Sequence, residues 1–154
     1  IGLNAFNGCT ALESVTIPDS VTSIGDMAFN GCISLTTATI GSGVTKLTGG
    51  IFNGCTALTS VTIGSGVTSI SSAFYGCSAL TSVTIPSSVK TIGAAAFRDC
   101  TSLTSMTFSG NAPSVGASWA RDVPSTMIVY YHAGATGFVI VDGKWNGFTA
   151  VQLP

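Results

Sequence analysis

The chain repeats itself at a nearly fixed interval, which limits the folds open to it more than any other feature of the sequence. Phe6, Phe29, Phe52, Phe74 and Phe97 are spaced by 23, 23, 22 and 23 residues. Cys9, Cys32, Cys55, Cys77 and Cys100 each follow a Phe by three positions, and Leu12, Leu35, Leu58, Leu80 and Leu103 each follow a Cys by three. Val15, Ala38, Val61, Val83 and Met106 come next, followed by Ile17, Ile40, Ile63, Ile85 and Phe108. Val21, Val44, Val67 and Val89, then Ile24, Leu47, Ile70 and Ile92, close the unit. A period of this length marks a solenoid, in which one unit is too small to bury its apolar face and neighbouring units share a continuous core.

Within a unit, Ser14-Val15-Thr16-Ile17 alternates polar with β-branched apolar residues. It reads as a short strand with Val15 and Ile17 inward and the two hydroxyls outward. Pro18 and Pro86 end this strand in two copies, while Gly41-Ser42-Gly43 and Gly64-Ser65-Gly66 do so in the middle ones. Val21–Ile24 reads as a second, shorter extended stretch. The Ala-Phe-Asn-Gly-Cys segment reads as a single helical or tight turn that delivers Phe to the core, with Gly8, Gly31, Gly54 and Gly76 allowing the backbone to turn.

The ends break the pattern. Ile1-Gly2 aligns with Ile24-Gly25, so the chain is expected to open inside a repeat of a longer protein. Trp119 falls 22 residues after Phe97, and Ile128 and Tyr130 are expected at the strand positions of Met106 and Phe108. The expected division is therefore a run of repeats over 1–108 and a degenerate repeat with a C-terminal cap over 109–154, with Pro154 near a natural end.

The unit Ala28-Phe29-Asn30-Gly31-Cys32-x-x-Leu35, followed by a strand and Val44-x-x-Leu47, resembles the BspA-like, or Treponema-type, leucine-rich repeats. The resemblance covers residues 1–108 closely and 109–131 loosely. It implies a leucine-rich-repeat solenoid with short parallel strands on the concave face and turns or short extended or helical segments on the convex side. It also implies a surface-anchored or secreted protein of a host-associated microbe, linked to adhesion. The family supplies no residue with a chemical role to carry over.

Charged residues make up 7% of the chain, the net charge is −1, and the surface polarity falls to Ser, Thr and Gly. No basic face exists for a phosphate backbone or an anionic lipid, so neither nucleic acid nor a membrane surface is an expected partner. Mean hydropathy is +0.56, yet no run approaches the roughly 18 apolar residues a spanning helix needs. Ile1–Thr10 has neither the basic nor the apolar region of a signal peptide.

The five cysteines occupy one repeat position. Stacking sets neighbours about 5 Å apart, within disulfide range, but the expectation is buried free thiols that pack as small apolar groups and help satisfy turn amides. No Cys-x-x-Cys pair occurs and the single His132 lies outside the repeats, so no metal or other cofactor is expected. His132 has only Asp122 and Asp142 near it in sequence as partners for acid–base work and reads as a structural residue. Ser87-Ser88-Val89-Lys90 fits a Ser-x-x-Lys pattern but falls on a repeat turn, and Gly64-x-Gly66 lacks the third glycine and helix of a nucleotide site. An enzyme is not expected.

The remaining candidate surface is the outward strand face. Ser14, Thr37, Ser60, Ser82 and Ser105 form one row on it, and Thr16, Thr39, Thr62, Thr84 and Thr107 form another, about 7 Å away. Hydroxyls in such rows donate to and accept from sugars and peptide backbones. The expected function is a cell-surface or secreted, adhesin-like module binding an extracellular protein or glycan. A structural spacer that self-associates through an uncovered N-terminal repeat edge is the competing expectation, and ice binding by the flat Thr rows is a lesser one.

Overall fold

The computed structural model describes residues 1–154 as a coil of twelve strands, numbered β1 to β12 in chain order, with no helix. The first face carries β1 (Ser14–Ile17), β2 (Thr37–Ile40), β4 (Ser60–Thr62), β6 (Ser82–Ile85), β8 (Ser105–Phe108) and β10 (Ile128–His132). The second carries the two-residue strands β3 (Lys46–Leu47), β5 (Ser69–Ile70), β7 (Thr91–Ile92) and β9 (Ser114–Val115), all parallel. The first copy of this second stretch, Val21–Ile24, forms no strand. β11 (Lys144–Trp145) and β12 (Phe148–Leu153) extend the first face beyond β10.

The Ala-Phe-Asn-Gly-Cys segment is a tight turn throughout rather than a helix. Its amides bond across turns of the coil, as in Phe29 to the Ile51 carbonyl (2.9 Å) and Gly31 to the Asn53 carbonyl (2.8 Å). That pattern takes the donors a helix would use internally. Gly31 sits at φ 67°, the left-handed conformation glycine adopts without strain, and in the last full copy Asp99 holds the same conformation at φ 59°.

The core is one cluster running the length of the coil, with no polar or charged side chain buried in it. Phe6, Phe29, Phe52, Phe74 and Phe97 stack nearly parallel, with centroids 5.1, 5.4, 5.6 and 5.3 Å apart. The stack ends there, because the backbone places Ala120 at the next Phe position. Phe97 donates to the Trp119 carbonyl as Phe74 does to Ala96, and Ser118 repeats the left-handed φ of Ala95. Trp119 therefore stands one residue before the position expected of it, and the 23-residue step is kept.

The same correction applies to β10, where Val129 and Tyr131, not Ile128 and Tyr130, lie opposite Met106 and Phe108. In both places the backbone keeps a step of 23 residues where the expectation counted 22. Trp119 instead packs on Trp145 and Phe148, and Phe108 meets Phe138 and Trp145 edge-on, so an aromatic cluster covers this end of the core.

The cysteines are free; Cys9 is exposed and the other four are buried. Each buried thiol donates to the Phe carbonyl one turn back, Cys55 to Phe29 at 3.1 Å and Cys100 to Phe74 at 3.2 Å. The amide of the preceding Cys also reaches the sulfur. The turn-amide role expected of them is thus shared with a carbonyl bond. Burial pushes the Cys55 and Cys100 thiols up to about 12, and raises Cys32 and Cys77 as well.

Two consequences are measurable. Phe52 is fully buried between two rings, so Phe52→Ala is expected to cost about 3–5 kcal/mol in urea unfolding, and a loss below about 1 kcal/mol would contradict the stack as core. The raised thiols release protons on unfolding once the pH passes their ordinary value of 9.0. Stability is therefore complete below that pH and falls as the pH climbs toward about 12. The urea midpoint should drop between pH about 8 and about 10, and drop less in a Cys55→Ala, Cys77→Ala double variant.

Candidate binding face

The registered pairing of the strands builds the two hydroxyl rows. Ser14, Thr37 and Ser60 lie opposite one another, as do Thr16, Thr39 and Thr62, and all six are exposed. Ser82 pairs with Ser105 and Thr84 with Thr107; the first member of each pair is exposed and the second half-buried. Beyond Thr107 the second row continues in Tyr130, which the backbone register turns outward. Sequence comparison assigned this tyrosine to the inward set, and strict counting from Thr107 was the signal that it belongs outside.

Neither row is continuous. The first-face strands fall into two sheets, β1-β2-β4 and β6-β8-β10-β12-β11, with no ladder between β4 and β6. At other steps a threonine amide and hydroxyl both bond to the turn before, Thr59 to the Thr36 carbonyl at 3.0 and 3.1 Å and Thr104 to the Thr81 carbonyl at 2.9 and 3.1 Å. Thr81 makes neither bond to Thr59. Gly41 and Ser109 donate to the Ile17 and Ile85 carbonyls at 2.8 and 3.0 Å. Their counterpart Pro86 has no N–H, and the Ile63 carbonyl receives nothing; the Ile40 carbonyl, which Gly64 does not reach, also lacks this bond.

This step is also the 22-residue one, shortened by one residue between Ile70 and Phe74. On the second face β5 and β7 remain paired across it, and Phe52 and Phe74 remain stacked. The opening is therefore a seam confined to the hydroxyl face. Val61, Thr62, Ile63, Thr84, Pro86, Ser87 and Ser109 line the resulting groove of about 370 Å³. Of these, sequence reasoning had marked only Thr62 and Thr84. The short interval and the proline were the available signals for the rest.

The other candidates lack a reactive arrangement. Lys90 Nζ donates to the Ser87 carbonyl at 3.0 Å, which makes Ser-x-x-Lys a turn contact. His132 ends β10 in an exposed position, and Asp122 faces Arg98 and Arg121 instead. No three of His, Cys, Asp and Glu converge on a point, and no helix is long and apolar enough to cross a membrane.

A parallel coil with one hydroxyl-faced strand per turn and a Phe-x-x-Cys-x-x-Leu core defines a leucine-rich-repeat solenoid. The chain belongs to the BspA type leucine rich repeat family, whose model matches residues 1–121 in 6 copies. It is similar to a leucine rich cell surface protein of Faecalibacterium prausnitzii A2-165, with 42% identity and a TM-score of 0.69 over 72% of this chain and 30% of that one. A leucine-rich repeat protein of Eubacterium ventriosum shares 30% identity and a TM-score of 0.70 over 79% of this chain and 33% of that one. The T. pallidum leucine rich repeat protein TpLRR matches at 27% identity and a TM-score of 0.67, over 87% and 67% of the two chains. The chain thus spans about a third of the first two proteins and two thirds of the third. No curated protein matches it.

Because the Thr81 amide lacks the bond that Thr59 and Thr104 make, it should exchange with deuterium at least about tenfold faster than either in the native protein. Equal protection at all three would mean that the strand face closes in solution.

Proposed function

We propose that this chain is a non-catalytic interaction module of an extracellular surface protein, holding a host protein or glycan against its first strand face. The observation that carries the reading is the alignment of Ser14, Thr16, Thr37, Thr39, Ser60, Thr62, Ser82, Thr84, Ser105 and Thr107 into two rows on one face. Their hydroxyls offer both donors and acceptors at regular spacing to a partner rich in hydroxyls or amides. The F. prausnitzii relative is described as a cell surface protein, which supports an extracellular setting. Few charges lie on the chain, so contacts would depend on shape and hydrogen bonding rather than long-range steering.

A spacer without its own ligand would use the same rows only as a solvated β-face, to which exposed Ser and Thr are suited. Ice binding needs long regular rows, and the seam between β4 and β6 interrupts both.

An array of glycans and matrix proteins probed with the wild type and with a Thr39→Lys, Thr62→Lys, Thr84→Lys variant separates these readings. Selective wild-type binding that weakens by about tenfold or more in the variant is the expected result. No binding by folded protein, together with concentration-dependent association in sedimentation, would favour the spacer.

A further inference from the structure

Resting on that reading, we infer that the groove at the seam is a sugar-binding site that takes one neutral pyranose ring of a glycan. Its floor and its rim differ in chemistry. Val61, Ile63 and Pro86 present aliphatic surface, while Thr62, Thr84, Ser87 and Ser109 present hydroxyls around it. A pyranose has the complementary character, with C–H groups on its ring faces and hydroxyls at its edge. The volume of about 370 Å³ falls in the range of small-ligand sites, roughly 300–1,000 Å³.

The backbone adds a fixed acceptor. The Ile63 carbonyl, left without a donor by Pro86, belongs to a residue lining the groove. A sugar hydroxyl would satisfy it, which is the kind of contact that orients a ligand in an otherwise apolar pocket. No charged side chain lines the groove, and Lys90, close by in sequence, has its Nζ on the Ser87 carbonyl. An acidic sugar or a phosphate therefore gains no counter-charge here.

A peptide strand fits the seam poorly. Adding a strand between β4 and β6 needs two inter-strand spacings, roughly 9.6 Å, whereas Cα atoms of the two strands approach within 8 Å. The opening admits a ring between the side chains but not a backbone between the strands.

The test is a titration of the whole nitrogen-labelled chain with lactose, cellobiose or maltose at millimolar concentration, followed by amide correlation spectra. Shifts are expected at Val61–Ile63, Thr84, Ser87 and Ser109 for at least one sugar. Binding should weaken about tenfold in Ser87→Phe, which fills the groove from an exposed position, and in Thr62→Val, which removes one rim hydroxyl while keeping shape. Thr91→Lys, exposed on the second face, should leave it unchanged. Shifts spread along both rows and lost in Thr16→Lys would overturn the groove site while leaving the face as a binding surface. Absence of shifts with every sugar would also overturn it, and array binding to a protein would then still support the broader reading.

Discussion

Every part of this molecule depends on one condition: each turn of backbone must lie one strand spacing from the next, with equivalent residues opposite one another. The strands are two to six residues long, too short to persist alone, and their hydrogen bonds run between turns rather than within them. Identical side chains are therefore forced into columns. Phe on Phe, Cys thiol on the Phe carbonyl of the previous turn, and Thr hydroxyl on the Thr carbonyl of the previous turn are three results of the same translation. Even the glycines obey it: a Cβ on Gly66 would strike the Ser42 carbonyl oxygen and one on Gly43 the Asp19 carbonyl oxygen. At the first of these turns Asp19 bonds the Ser42 amide and hydroxyl at 2.7 and 2.9 Å, which holds its carboxyl below the ordinary carboxylate range.

The functional surface follows from this condition and from the one place where it relaxes. Regular translation makes the hydroxyl rows but leaves them shallow. Depth arises at the 22-residue step, where β4 and β6 form no ladder and Thr81 makes no bond to Thr59. Since β5–β7 pairing and the Phe stack persist at that step, the coil gains a groove without losing its core.

Most of the fold was legible because the columns repeat residue types. Phe, Cys and Leu recur at fixed offsets, and the inward and outward strand positions could be assigned through Phe108. What misled was the count near the end. Trp119 and Tyr130 are assigned inward at 22 residues from Phe97 and Phe108, while the backbone keeps a step of 23 and places Ala120 and Tyr131 there. The turn after each Phe looked equally suited to a helix, because only the partner of its amides decides the matter, and that partner lies a full turn away. The rows of the candidate face were readable from alternation alone. Its groove was signalled only by the 22-residue step and Pro86, and neither of these by itself says that the ladder between β4 and β6 opens.

The seam has a mechanical consequence. A rod bonded continuously along one side and open along the other does not flex uniformly. Its compliance is concentrated at the opening, with β5 and β7 acting as the closed edge. Tension or shear applied along the axis of such a rod changes its curvature before its length, and curvature widens or narrows the seam between Thr62 and Thr84. Whatever occupies that opening would stiffen the rod, so occupancy and bending are coupled in both directions.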